Sequence, residues 1–328
     1  YRAIPLGMVS KKLSLKYIKW TLDALVHLPK AWWDYWQTIR RWEPDLVLSA
    51  GFSTASMLWF LLDLEHTIHY VHEIEEKSLH TRHVLGLTSH GGAAFITPSN
   101  HIADRLNDAG VPGSKTHVVH NGLEVANFSS VDVHSSTDAE MQTKAQAHIG
   151  IVGQVEEWKG HIDLMEALRL LPDAPFAYTC HVVGRGKGPY RRKVEDFIDK
   201  HGLADNVVWH GFRNDMENVY RSIDILVAPS RHDEPFGLVA AEAGLFEVPV
   251  IASRKGGLPE IVVDGETGFL VDAESPEQIA ERLKQLMAAP DLRAKMGASA
   301  RERVLSKFTR SKMVDGVESV LQSIANKA

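Results

Sequence analysis

Two glutamates separated by seven residues, Glu234 and Glu242, are the side chains of this 328-residue chain best suited to chemistry on a ligand. Pro235 and Gly237 between them suit a turn, which predicts a helix beginning near Gly237 or Leu238. Glu242 would lie about one turn into this helix, where it could accept hydrogen bonds from a ribose. Glu234 would lie before the helix and face a sugar. Two acids alone are more typical of an ordinary helix start, so the case depends on their neighbours.

The start of this predicted helix is itself suited to an anion. Its first amides have no partner within the helix, and the helix dipole places a partial positive charge there, so both features favour a diphosphate. The amides in question are those of Phe236, Gly237, Leu238 and Val239.

Lys159 could supply a further positive charge. It precedes Gly160 in a loop predicted between a strand and a helix, where an ammonium can neutralise a diphosphate as a point charge. An isolated lysine is more typical of a solvated surface, so this assignment depends on the sequence pattern around it.

Short apolar segments alternate with amphipathic ones along most of the chain, which predicts parallel sheets covered by helices. Helices are predicted around residues 52–62, 75–86 and 99–109, and only helices after Ser275. The polar stretch from Phe128 to Ala147 predicts a linker and a surface loop. The predicted strands are residues 45–49, 67–71, 93–97 and 115–119, and then 148–152, 178–183, 207–209, 224–227, 248–252 and 268–271.

This organisation predicts two doubly wound α/β domains, at residues 1–140 and 141–305, and a C-terminal helix at 306–328 that packs back toward the first domain. Open parallel sheets bind ligands beyond the carboxyl ends of their strands. The chemistry should therefore lie in the loops after the strands, and both Lys159 and Glu234 are in such loops.

Residues 234–242 resemble the E-x7-E signature of retaining glycosyltransferases of group 1, the family related to sucrose synthase and bacterial glycogen synthase. Other parts of the chain match this family in order: the loop with Lys159, a Val-Gly-x-Gly turn, a His-Gly-Phe strand end and the segment after the signature helix. Each match alone is a weak signal, but their common order is specific. The matching segments are residues 152–160, 183–186, 210–212, 256–262 and 265–271.

The resemblance implies a GT-B fold, in which two Rossmann-like domains face a cleft, with the donor bound mainly by the second domain and the acceptor by the first. It implies catalytic roles for His72, Lys159 and Glu234, with His72 at a strand end touching the donor sugar. The donor-binding residues that it implies are Gly153, Gln154, Lys159, Gly184, Phe212, Glu234, Phe236, Gly237, Leu238, Val239 and Glu242.

Gln154 departs from the family pattern, which often has an arginine at this position. Because glutamine carries no charge, either Arg185 or Arg231 contributes to diphosphate binding, or the site relies on Lys159 and the helix end. Residues 120–122, His-Asn-Gly, resemble a family turn and are interpreted first as turn chemistry.

The resemblance further implies retention of anomeric configuration when a sugar passes from a nucleotide-diphosphate sugar to a glycan, glycolipid or small-molecule acceptor. The sequence contains no Asp-x-Asp pair, and a lysine with a helix end already supplies positive charge, so neither a metal nor another cofactor is expected. Two alternatives stay open. One is a GT-B sugar-nucleotide epimerase or phosphorylase, and the other is a non-catalytic nucleotide-sugar-binding partner subunit.

Composition narrows the class of protein. The net charge of −6 gives no global argument for nucleic-acid binding, and the single cysteine, Cys180, excludes an intrachain disulfide and suits a reducing cytoplasm. No apolar run approaches the ~20 residues that span a bilayer. A first strand with a glycine-rich loop is not recognisable before Asp45, so we expect the first domain to lack some tens of residues.

Residues 11–43 hold five of the eight tryptophans, with seven basic against three acidic residues. This pattern suits a helix lying on an anionic membrane surface, which predicts a peripheral protein at the inner face of the membrane. The alternative is a long helix that packs its aromatic side chains into the first domain. The five tryptophans are Trp20, Trp32, Trp33, Trp36 and Trp42.

Overall fold

A computed structural model describes residues 30, 33–34, 36–38, 40–50, 67–73, 94–125, 146–171 and 177–326. The described residues form two compact units. The first comprises those up to Thr97, Ile102–Val118 and those from Val317, and the second comprises those of Pro98–His101 and Val119–Gly316. The helices predicted around residues 52–62 and 75–86 lie outside the described residues, as does most of the predicted polar linker.

The first unit contains a parallel sheet whose described strands follow one another in the order β1-β2-β3-β4. The middle strands are buried along their whole length, as parallel strands covered on both sides are, although β2 carries the polar residues Thr67 and His69. Helix α1 packs Ile102 and Leu106 against Phe95 of this sheet. The elements are β1 (Val47–Ala50), β2 (Thr67–Tyr70), β3 (Ala94–Thr97), α1 (Asn100–Asp108) and β4 (Thr116–Val118).

The second unit contains a six-stranded parallel sheet with the order β10-β9-β8-β5-β6-β7. The chain starts in the middle at β5, moves to one edge and then returns past β5 to the other, which is the doubly wound arrangement that was predicted. All six predicted strands are confirmed. They are β5 (Gln146–Val152), β6 (Ala177–Val183), β7 (Val207–Gly211), β8 (Ile225–Ala228), β9 (Val250–Ser253) and β10 (Gly268–Val271).

One predicted boundary is wrong. The polar loop was expected to continue to Ala147, but Gln146 and Ala147 already belong to β5, where they pair with Ala177 and Tyr178. Ladder hydrogen bonds and the burial of Ala147 extend the strand beyond its apolar run.

Alternate residues of the six strands enter two separate cores, because successive side chains of a strand point to opposite faces. Ile225 and Val227 face one core, whereas Leu226 and Ala228 face the other. Helices cover both faces, and only helices follow Ser275 in the described chain. They are α2 (His161–Arg169), α3 (Pro189–Lys200), α4 (Met216–Arg221), α5 (Leu238–Leu245), α6 (Leu258–Ile261), α7 (Pro276–Ala288), α8 (Pro290–Lys307) and α9 (Arg310–Ala325).

Candidate active site

Three neighbouring strands of the second unit, β5, β6 and β7, end at glycines. The amide of Gly153 donates to Val183 O at 2.9 Å, and the amide of Gly184 donates to Gly211 O at 2.7 Å. A Cβ on Gly184 would lie 1.7 Å from Gly153 O, so any larger residue would separate the two strand ends. The close approach of one strand end to the next therefore requires a glycine at position 184.

Lys159 and Glu234, which come from the loops after β5 and β8, form an ion pair. The Nζ of Lys159 lies 2.5 Å from Oε1 of Glu234, and Ser230 Oγ donates to the same oxygen at 2.6 Å. The ammonium also lies 4.2 Å from the centre of the Trp158 ring. Glu234 is buried, with 7 % of its surface exposed. Two of the predicted catalytic residues thus meet in one partly desolvated cluster.

A second ion pair joins the loop after β8 to helix α2, which follows the loop of Lys159. The guanidinium of Arg231 donates to both carboxylate oxygens of Asp163 at 2.7 and 2.6 Å, and its amide donates to Trp158 O at 2.7 Å. These hydrogen bonds to Asp163 hold the pKa of Arg231 above its ordinary value. Arg231 is therefore engaged with Asp163, whereas Arg185 lies over the exposed ring of Phe212 at 4.1 Å.

Helix α5 begins at Leu238, as predicted, and Gly237 before it has a φ of +103° that strains any other residue. Behind this turn, Gly256 is so close to Glu234 that a Cβ would lie 2.2 Å from Glu234 O. The first amides of α5 come directly after the Lys159–Glu234 pair in the chain, where they could bind an anion. The side chain of Phe236 is buried in the core, so only its backbone could contact a ligand.

Glu242 lies within α5 and accepts a hydrogen bond from Tyr220 Oη at 2.6 Å. Burial raises the pKa of Glu242 above its ordinary value, although the hydrogen bond from Tyr220 opposes this. Burial also raises the pKa of Tyr220 well above its ordinary value. Tyr220, which contacts Glu242, and Ser230, which contacts Glu234, were not predicted. No local sequence signal marks Tyr220, but Ser230 stands four residues before Glu234 in the same loop.

The remaining predicted residues divide between the two units. Gln154 is exposed in the loop after β5 of the second unit. His72 is exposed after β2 of the first unit, with its ring centre 4.5 Å from that of Tyr70. Among the residues that the structure describes, no group of three or more His, Cys, Asp or Glu side chains is arranged to hold a metal ion. In the same part of the chain, no helix is long and apolar enough to cross a membrane.

Comparison with known proteins matches both halves of the chain to glycosyltransferase families. The family described as Glycosyl transferases group 1 matches residues 138–303, and Glycosyltransferase Family 4 matches residues 15–127. A D-inositol 3-phosphate glycosyltransferase of Corynebacterium diphtheriae is 35 % identical over 186 residues, which cover 55 % of this chain and 42 % of that protein. The chain spans about half the length of the curated relatives it matches, since the first three matches cover 42, 57 and 40 % of them.

Solved structures share the fold. A glycosyltransferase from Rickettsia africae superposes with a TM-score of 0.80 at 20 % identity, covering 98 % of this chain and 85 % of that one. HepE from Anabaena, solved in complex with UDP-glucose, superposes with a TM-score of 0.72 at 22 % identity, covering 89 % and 81 %. At these identities the likeness establishes the fold.

Proposed function

This chain belongs to the family of glycosyl transferases group 1 and has the GT-B fold, and we propose that it transfers a sugar from a nucleotide-diphosphate sugar to an acceptor. The observation that carries the proposal is the Lys159–Glu234 pair beside the start of α5. A cation and a row of helix amides there would bind a diphosphate, with Glu234 next to the sugar.

In this proposal the second unit holds the donor. The carboxylate of Glu242 accepts hydrogen bonds from the ribose, Gly153 and Gly184 allow the nucleotide to approach the backbone, and Phe212 lies near the base. Gln154, Gly237, Leu238 and Val239 complete the donor site through polar or backbone contacts. For His72, which belongs to the first unit, the role at the donor sugar stays a prediction from the family resemblance.

The proposed reaction retains the anomeric configuration. The bond between the anomeric carbon and the β-phosphate oxygen breaks, and a bond from that carbon to the acceptor oxygen forms on the same face. The acceptor proton moves to the departing phosphate oxygen. Lys159 and the α5 amides stabilise the negative charge that develops on the diphosphate, so no metal is needed.

A panel of UDP-, GDP- and ADP-sugars tests the proposal, with release of nucleoside diphosphate measured in the presence and absence of candidate glycan, glycolipid and small-molecule acceptors. We expect one base to support acceptor-dependent release, and proton NMR of the product to show the anomeric configuration of the donor. Activity should survive EDTA. Binding without acceptor-dependent release would instead favour a non-catalytic subunit, and inversion or a strict need for added magnesium or manganese would contradict the mechanism.

We further propose that the tryptophan-rich segment binds an anionic membrane surface, which would place a glycolipid acceptor within reach. Trp33, Trp36 and Trp42 are 55, 38 and 75 % exposed, and Arg40 lies 4.4 Å over the Trp36 ring. Trp20 and Trp32 lie outside the described residues. Exposed aromatic rings beside cations suit the interface between lipid and water.

Vesicle sedimentation tests this second proposal. The protein should bind vesicles that contain anionic lipid, bind neutral ones much less and be released by salt, since each basic residue contributes about 1 kcal/mol that salt screens. Replacing Trp33 and Trp36 with Ala should weaken binding, whereas the matched change at Leu305, an exposed apolar residue of the second unit, should not. Equal binding by all variants would contradict the proposal.

A further inference from the structure

Glu260, in the short helix α6, binds a distant turn of the chain with its carboxylate. Its Oε2 accepts from the amide of Asn100 at 3.0 Å and from Asn100 Nδ2 at 2.7 Å, and its Oε1 accepts from the amide of His101 at 3.0 Å. The Nε2 of His120 lies 3.0 Å from Oε2. Burial opposes ionisation, but the hydrogen bonds from His120, Asn100 and His101 lower the pKa of Glu260 to about 2.

The turn that Glu260 holds also contacts the loop that carries Glu234. Ser99 Oγ donates to Pro235 O at 2.5 Å, and His101 Nε2 lies 3.6 Å from Oδ2 of Asp233. Ser99 is completely buried. All of these residues belong to the second unit. The turn of Pro98–His101 therefore lies between Glu260 on one side and residues 233–235 on the other.

Helix α6 approaches Glu234 from a second direction. The amide of Gly257 donates to Glu234 O at 2.7 Å, and a Cβ on Gly257 would lie 2.8 Å from Phe236 Cα. Arg303 of α8 donates to the carbonyls of Glu260 and Ile261 at 2.7 and 2.9 Å, which anchors α6. The loop of Glu234 is thus enclosed by α6 and by the turn that Glu260 holds.

We propose that Glu260 is a positioning residue for the reaction, and that it acts by holding the Pro98–His101 turn in contact with residues 233–235. Its charge binds the amides of the turn, and the turn contacts the side chain of Asp233 before Glu234 and the backbone of Pro235 after it. The carboxylate of Glu234 is then held at Lys159, in the place where the donor sugar would bind. This inference rests on the proposed function for the role of Glu234, but its structural step can be tested without it.

Hydrogen exchange of the full chain tests the structural step. Glu260→Gln keeps the size of the side chain, but its amide nitrogen cannot accept a hydrogen bond, so at least one contact to the turn is lost. We expect faster exchange in peptides that cover residues 98–103 and also in those that cover 231–237. Glu266→Ala, which removes an exposed carboxylate six residues further on, is the matched control and should change neither.

Kinetics tests the functional step. Glu260→Gln should lower turnover about tenfold, measured with the sugar nucleotide that the panel identifies as the donor, because the carboxylate of Glu234 is less well oriented. Affinity for UDP, or for GDP or ADP if the panel selects those bases, should stay within about twofold of the wild type by calorimetry, since Glu242 and the strand ends are untouched. Glu260→Asp, which keeps the charge, should recover part of the turnover.

Two results would overturn the inference. If exchange rises at residues 98–103 but not at 231–237, Glu260 only caps helix α1. If melting temperature, nucleotide affinity and turnover fall together, its role is general stability. Should Glu260→Gln fail to fold, Asn100→Ala removes one side-chain contact to Oε2, leaves the amides of Asn100 and His101 in place, and should give the same pattern at smaller size. A wild-type chain that transfers no sugar would refute the proposed function, while the exchange comparison would still decide the role of Glu260.

Discussion

Glu234 and Glu242 lie in one short stretch of chain but have different surroundings. Glu234 precedes α5 and meets an ammonium and a hydroxyl on one carboxylate oxygen. Glu242 lies inside the helix and accepts from a buried phenol, and burial raises its pKa. The first glutamate is held by charge and the second by a neutral donor. Equal residue types at a recognisable spacing therefore do not imply equal chemistry, since the loop and the helix supply different partners.

The largest effect on turnover should come from removing the positive charge of Lys159, which pairs with Glu234. We expect Lys159→Ala to lower turnover roughly 100- to 1,000-fold, because Lys159 would stabilise the leaving diphosphate. The free energy of unfolding should fall as well, since Glu234 would remain buried without its ammonium. Lys187→Ala, an exposed lysine after β6, is the matched control.

The double variant Lys159→Ala/Glu234→Gln separates these two losses. Removing the uncompensated charge should restore much of the stability but none of the turnover, as measured by denaturant unfolding and by diphosphate release. Unchanged turnover in Lys159→Ala would mean that another cation, such as Arg185, performs this role.

At the other end, Glu242→Ala should weaken binding of the nucleoside diphosphate by about 1.5–3 kcal/mol, the worth of hydrogen bonds from ribose hydroxyls to a charged acceptor. Calorimetry with UDP, GDP and ADP measures this loss. Unchanged affinity would remove Glu242 from the site and, with it, the ribose role assigned to the helical glutamate.

Tyr220→Phe should have a smaller effect that depends on pH. The carboxylate form of Glu242 is the acceptor, so affinity should fall as pH falls through its raised pKa. Tyr220 stabilises that charged form through its hydrogen bond, and its removal should therefore move the acid loss of affinity to higher pH. Binding curves of wild type and variant that coincide at every pH would show that Tyr220 does not control Glu242.

These differences mark what could be predicted from the sequence. The six strands of the second sheet were predictable because buried parallel strands are continuous apolar runs, and the start of α5 because Pro235 and Gly237 mark it. The hydrogen-bond partners of the site glutamates could not be predicted. Tyr220 reaches Glu242 from α4, and Asn100 reaches Glu260 across 160 residues of sequence. Such contacts depend on sheet order and helix packing, which no local pattern encodes.

The smallest effect concerns acid stability near Lys159. Burial first, and then the charge of Lys159, lower the pKa of His161 from 6.5 to about 4. Between pH 6.5 and pH 4 the histidine therefore takes up a proton in the unfolded chain but not in the folded chain. The contribution of His161 to stability is fully present above pH 6.5 and is lost as pH falls toward 4. His161→Leu should therefore reduce the fall in melting temperature on acidification.

Burial lowers the pKa of His69 and that of His181 to about 4 as well. A single substitution should therefore reduce the loss of stability in acid only in part. His232→Leu, at an exposed position in the loop before Glu234, controls for the loss of one histidine. Lys159→Ala should act in the same direction as His161→Leu, because it removes the second cause of the shift. Glu242→Ala should act in the opposite direction and steepen the acid loss, because a carboxyl whose folded pKa is raised takes up its proton first in the folded chain and so offsets part of that loss. If both glutamate ends changed the slope equally, the electrostatic distinction between them would be wrong.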